Sequence, residues 1–235
     1  MIINIYSKDN LEIIGRPVIS SLEDFKDDPT LFYPDWDNAK HICSDIEFQN
    51  PILVSGKIRE MTKEELYAVG KYTLANNELV ENNKIKTVEL AEFEYIENNA
   101  VKLNREKRIE QIKKELYVLR LEYDVKPFEF EVGAVKYLQN NRSIDQSNLT
   151  RIVVLCQAMK KTTFNNWKFY TKDNSEKYVS ISVTDMMKMA EIMQEQTTKS
   201  MATETLLSHN LGNLSDKELK EYDVKDRYEK AYKNM

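Results

Sequence analysis

His41, Cys43 and Asp45 stand two residues apart in turn, a spacing that in a strand puts an imidazole, a thiol and a carboxylate on one face. That trio is the raw material of nucleophilic catalysis, in which a base takes the proton of a thiol that then attacks. The rest of the machinery does not accompany it: there is no second histidine nearby, no oxyanion loop and no glycine elbow. A buried cysteine beside a surface histidine is therefore the reading adopted, and His209, alone near a helix end, is read as structural. Asp35, Asp37 and Asn38 could offer oxygen ligands to Ca²⁺ or Mg²⁺, but the glycine and terminal glutamate of an EF-hand loop are out of register, so turn and cap duty is expected of them. The five glycines, Gly15, Gly56, Gly70, Gly133 and Gly212, are all isolated, and no phosphate-cradling loop can be assembled from them. No catalytic residue, metal or cofactor is expected, and the chain is read as a non-enzyme.

The chemistry of contact is better represented. Phe32-Tyr33-Pro34-Asp35-Trp36 concentrates aromatic side chains in a proline-stiffened stretch, where Tyr33 and Trp36 are candidates for a protein or carbohydrate contact. Plugging one end of an N-terminal domain is an equal alternative for them. Ile109, Ile112, Leu116 and Leu119 recur at heptad-like spacing in a charged segment that ends at Tyr123. An ordinary amphipathic helix is the expectation, with a short self-association seam as the alternative. Tyr228 lies in a thin apolar stripe with Val224, Ala231 and Met235, which either packs at the periphery or docks on a partner. Met186, Met189, Met193 and Met201 are read as core filling in preference to an adaptable groove.

These residues need elements to position them, and the chain reads as α+β in four parts. Residues 1–92 form a small β-rich docking domain. Hairpins of short β-branched runs are expected over 2–6 and 11–14, an irregular acidic loop over 23–41, a helix from a Thr62/Glu65 capping box to Val69, and a three-stranded meander over 71–88. Residues 93–126 supply a connecting helix. Residues 127–212 alternate hairpin, helix, hairpin and helix: Gly133-Ala134 suits a type II′ turn that pairs Val132 with Val135 and Phe130 with Tyr137. Ser143 with Gln146 is expected to cap a helix turning Leu149, Ile152, Val153, Cys156 and Met159 inward, and Ser182 or Thr184 to cap a long Met-rich helix that frays before Gly212. Residues 213–235 read as one self-supporting charged helix, with acid-first pairs four apart such as Asp216 and Lys220.

Composition narrows the function classes. The 34 basic and 39 acidic side chains nearly cancel to net −5, and the densest basic run, Arg105 to Lys114, is interleaved with Glu106 and Glu110, so no nucleic-acid partner is expected. No window approaches the roughly 18 apolar residues of a membrane span and no basic leader precedes an apolar run, so neither a membrane partner nor a signal peptide is expected. Two cysteines allow at most one bridge, which suits assembly in a reducing cytoplasm.

Trp167, Asp173-Asn174 and Val179-Ser180-Ile181-Ser182-Val183-Thr184-Asp185, following the Phe128-Glu129-Phe130 hairpin, form a pattern from about Asn104 onward. It resembles a C-terminal domain of unknown function widespread in tail-fibre and tail-fibre-assembly proteins of tailed bacteriophages. Upstream, Gly56-Lys57-Ile58-Arg59-Glu60-Met61-Thr62 with Glu65, Tyr67 and Gly70, then Tyr72, Leu74, Glu78 and Lys84-Ile85, is similar to a segment of small tail and baseplate-associated proteins from phages of Gram-positive hosts. The loop at 23–41 and the helix after Ser215 have no counterpart in that pattern. The resemblance implies a structural protein of the virion tail, assembled in the host cytoplasm, whose partners are other tail, baseplate or tail-fibre proteins and further copies of itself. A fibre-assembly chaperone is the close rival. A host-glycan-binding protein, using Tyr33, Trp36 and Trp167, is a third reading.

Overall fold

The computed structural model describes residues 1–235 and has an α+β fold with 42% helix and 26% strand, the strands gathered in several small antiparallel sheets. The chain divides into two compact units, Met1–Lys102 and Leu103–Met235.

In the first unit, β1 (Asn4–Ser7) pairs antiparallel with both β2 (Ile13–Gly15) and β3 (His41–Ser44). One face of this sheet is apolar because Ile3 and Ile5 alternate, and they meet Ile19 and Phe25 in a closed cluster flanked by Leu22, Phe32, Tyr33, Trp36 and Cys43. The stretch expected to be an irregular loop contains two short helices, α1 (Leu22–Asp27) and α2 (Pro29–Phe32). Ser21 caps the first by accepting from Asp24 N–H, and Pro29 opens the second at a position where a missing N–H is harmless. The prolines that argued against structure mark a helix start. Only the stretch after Tyr33 is irregular.

Three two-residue hairpins follow: β4 (Pro51–Val54) with β5 (Lys57–Glu60), β6 (Glu78–Glu81) with β7 (Lys84–Thr87), and β8 (Glu94–Glu97) with β9 (Ala100–Leu103). Their turn pairs, Ser55-Gly56, Asn82-Asn83 and Asn98-Asn99, all have φ between 50° and 78°. That is the left-handed geometry whose twist matches antiparallel strands, and Asn and Gly tolerate it best. The expected third strand at 71–74 does not form. Between the first two hairpins, α3 (Lys63–Ala68) carries the expected capping box of Thr62 and Glu65, and Gly70 leaves it at φ 74°.

The second unit is built on α4 (Arg105–Asp124) and α6 (Val183–Asn210). Its two hairpins merge into one four-stranded sheet, β10 (Phe128–Val132), β11 (Val135–Gln139), β12 (Thr163–Tyr170) and β13 (Glu176–Ser182). The register of the first hairpin is the expected one, Val132 opposite Val135 and Phe130 opposite Tyr137. Phe130, Trp167, Phe169 and Ile181 face a core completed by Leu149 of α5 (Ser143–Ala158) and by Met186, Met189 and Met193. Three of the four methionines are therefore core; Met201 is exposed, as is Met159 just beyond α5. The α5 cap sits one residue earlier than expected: Asp145 accepts the Arg142 N–H and its guanidinium, while Gln146 turns back to Asn141. Ser182 caps α6, as one of the two expected residues.

After a 3₁₀ turn at Leu211–Asn213, the charged segment is two helices, α7 (Asp216–Lys220) and α8 (Val224–Asn234), and not one. Asp223 caps α8, and Arg108 of α4 donates to the Leu219 and Tyr222 carbonyls freed at the break. Of the expected acid-first pairs Asp226–Lys230 forms at 2.7 Å, and Asp216 also meets Arg105 of α4.

Candidate functional site

The residues singled out in the sequence fall into two groups. In the first unit, Tyr33, Trp36, His41 and Cys43 come together. The Tyr33 ring lies so close over Gly15 of β2 that a Cβ there would stand 2.8 Å from it, and its edge meets His41 with ring centres 5.9 Å apart. Tyr33 is thus a plug on the sheet, one of its two expected roles. Trp36 packs edge-on against Phe25 at 5.1 Å and donates from Nε1 to Asn38 Oδ1 at 2.8 Å. Its remaining surface lines a polar hollow of about 450 Å³ with His41, Cys43, Asp45, Lys8, Lys26 and Lys57.

Within that hollow no hydrogen bond joins His41 to Cys43 or Asp45. His41 Nδ1 accepts the Asp37 N–H at 3.1 Å, which in the neutral ring leaves the proton on Nε2. The ring is half-buried between Tyr33 and Trp36, deeper than the surface position expected of it. Cys43 leans on the isoleucine cluster, and burial pushes its thiol above the ordinary value despite the opposing field of Lys26. Asp45 lies just beyond the end of β3. Asp37 and Asn38 do turn duty: Asp37 Oδ1 accepts the Ala39 N–H, and the same bond holds its carboxyl below the usual range. No three metal-ligating side chains converge in the chain.

In the second unit Ile109, Ile112, Leu116 and Leu119 face α6 and the C-terminal helices, with Ile112 and Leu116 wholly buried. The middle of the heptad-like stripe is intramolecular core, as an ordinary amphipathic helix requires; Ile109 and Leu119 at its ends are half-buried, and Leu119 borders a hollow with Val118 and Val224. Tyr228 is also wholly buried, donates to the Ser200 carbonyl at 3.1 Å, stacks on Tyr232 and meets Tyr123 at a tilt of 58°. Burial pushes its phenol far up. It is a keystone of the helix cluster and no docking residue. Nearby, Arg120 and Glu204 face each other at 3.1 Å without hydrogen-bond geometry at Nε, and Ser200 donates to Asp124. Asn141 and Gln196 donate to the carbonyls of Tyr123, Asp124 and Lys126, closing the end of α4. Trp167 is buried, with Nε1 donating to Gln139 Oε1 at 2.9 Å, so it is no glycan platform.

A surface that the sequence reading missed lies on α5. Ile144, Val154, Leu155 and Met159 are 57%, 58%, 55% and 54% exposed, and Ile144, Arg151, Leu155 and Met159 recur at helical spacing on one side. Ile152, Val154, Leu155 and Ala158 line a shallow hollow of about 650 Å³ there, together with the polar Asn148, Thr150 and Arg151. Leu149 and Cys156, buried on the opposite side, show why it was missed. The helix is apolar on both flanks, so periodicity alone does not say which flank is core. A clustered aliphatic patch with an arginine has the composition of an interface centre. A second outward row on α4, Tyr117, Val118, Leu121 and Val125, is 40–53% exposed. No family model, no curated protein and no solved structure matches this chain.

Proposed function

We propose that this chain is a non-enzymatic structural component of a bacteriophage or phage-like tail, joining tail proteins at the junction of baseplate and tail fibre. The tail setting rests on the resemblance carried by Gly56 to Gly70, Trp167, Asp173-Asn174 and Val179 to Asp185. The mode of action rests on one observation, the apolar face of α5, where Ile144, Val154, Leu155 and Met159 stand outward beside Arg151. Covering exposed aliphatic side chains of this kind removes apolar surface from water, which favours association in proportion to the area covered. Tail rings repeat identical copies, so a symmetric contact between copies is one form the junction takes.

Mass spectrometry of purified particles, with crosslinks mapped to residues 144–159, tests both halves of the reading. A virion component is recovered in fixed ratio to other tail proteins, with crosslinks on α5. Absence from particles together with co-purification with unassembled fibre protein would instead favour an assembly chaperone.

A further inference from the structure

We propose that the polar hollow of the first unit binds a small organic anion, a sugar-sized molecule carrying a phosphate or carboxylate. The inference goes beyond the structural role and does not depend on it. The chain as a whole is net negative, yet Lys8, Lys26 and Lys57 all line this hollow, with Asp45 as the only carboxylate among its lining residues. These cations come from three separate segments: Lys8 follows β1, Lys26 lies on α1, and Lys57 opens β5 after the Ser55-Gly56 turn. Lys8 donates to the Asn38 carbonyl at 2.6 Å and is anchored; Lys26 and Lys57 enter no ion pair, so both ammonium groups are free for an oxyanion.

The walls suit the body of such a ligand. Trp36 is fixed by Phe25 and Asn38 and offers an indole surface of the kind on which the apolar face of a sugar ring rests. His41, with Nδ1 already occupied by the Asp37 N–H, has Nε2–H to donate, and Ser44 adds a hydroxyl to the lining. The hollow's 450 Å³ lies within the range of small-molecule sites, roughly 300–1,000 Å³. Phosphate and carboxylate present the same negative oxygen atoms to the lysines, so the head group is named by the experiment.

Isothermal titration of the full chain at low ionic strength, with glucose 6-phosphate, glucuronate, glucose and inorganic phosphate, tests the proposal. One or both sugar anions bind with a Kd of about 1 mM or tighter, and glucose at least about tenfold more weakly. Lys26→Gln combined with Lys57→Gln, both at exposed positions, weakens binding about tenfold or more without altering the thermal midpoint. Trp36→Phe weakens it several-fold. Raising salt weakens it further, because the lysines are exposed. No binding of either sugar anion up to about 10 mM would overturn the proposal. So would equal affinity for glucose, inorganic phosphate binding as tightly as the sugar phosphate, or indifference to the lysine substitutions.

Discussion

At the scale of single residues, environment decides what each candidate group can do. Cys43 has the neighbours of a nucleophile in sequence and those of a core residue in space, and burial favours its neutral thiol. At pH 8 it should alkylate with iodoacetamide more slowly than a free cysteine peptide, reaching the peptide's rate on unfolding; peptide mapping separates it from buried Cys156. Labelling of folded protein as fast as the peptide would make the thiol activated after all. Glu78 is the opposite case. Its carboxylate accepts from the Tyr72 hydroxyl, the Ala75 N–H and Lys63, and these hold its pKa at about 2 against an ordinary 4.5. Glu65, gripped by Arg59 and the Thr62 N–H, is likewise at about 2. A depressed folded-state value means that folding favours the ionised form, so this stabilisation is present above pH 4.5 and is lost as pH falls toward 2. Melting of the first unit should therefore drop steeply through that window, and Glu78→Gln should flatten the drop while lowering the midpoint at pH 7. An unchanged acid slope in the variant would refute the assignment.

At the scale of elements, the sequence is most legible where a local rule has one solution. The Gly133-Ala134 turn sets the register of β10 and β11, and the Thr62/Glu65 box sets the start of α3, because each places a backbone donor or twist that few residues satisfy. It is least legible where two faces compete. The stripe Ile109, Ile112, Leu116 and Leu119 is visible as periodicity, but whether it is covered by α6 of the same chain or by another copy is a long-range fact. The α5 face shows the reverse error, since an outward apolar row beside an inward one looks like more core. The polar hollow was half visible: Trp36, His41 and Cys43 are close in sequence, whereas Lys8 and Lys57 reach them only through the fold. Two expectations belong to this scale. Asn83, at φ 61°, should lose about 1 kcal/mol of stability on Asn83→Ala and none on Asn83→Gly, because only the former adds left-handed strain; equal denaturation midpoints for the two would contradict the turn assignment. Leu155→Glu should abolish α5 crosslinks in assembled particles yet shift folding stability by less than about 0.5 kcal/mol, as expected of an exposed site. A large loss of stability would mean that the face is structural.

At the scale of the molecule, the two units differ in how they are held together, and that difference has a measurable consequence. The second unit has a sheet-and-helix core of three aromatic and five aliphatic or methionine side chains, Phe130, Trp167, Phe169, Leu149, Ile181, Met186, Met189 and Met193, and a separate helix cluster around Ile112, Leu116 and Tyr228. Gln196 and Asn141 tie those two parts to the end of α4. The first unit concentrates its core in Ile3, Ile5, Ile19 and Phe25, while its three later hairpins rest on turn geometry and on polar clips such as the hydrogen bonds between Asn99 and Val80. Stability scales with buried apolar area, and isolated two-stranded hairpins contribute little of it. A fragment of residues 103–235 should therefore fold alone, with a cooperative thermal transition and native-like near-ultraviolet dichroism. A fragment of residues 1–102 should unfold at lower temperature, its hairpins at 51–60, 78–87 and 94–102 exchanging amide hydrogens faster than β1. A 103–235 fragment lacking a cooperative transition would show that its two clusters do not suffice, and that the boundary at Lys102 does not separate independently stable parts.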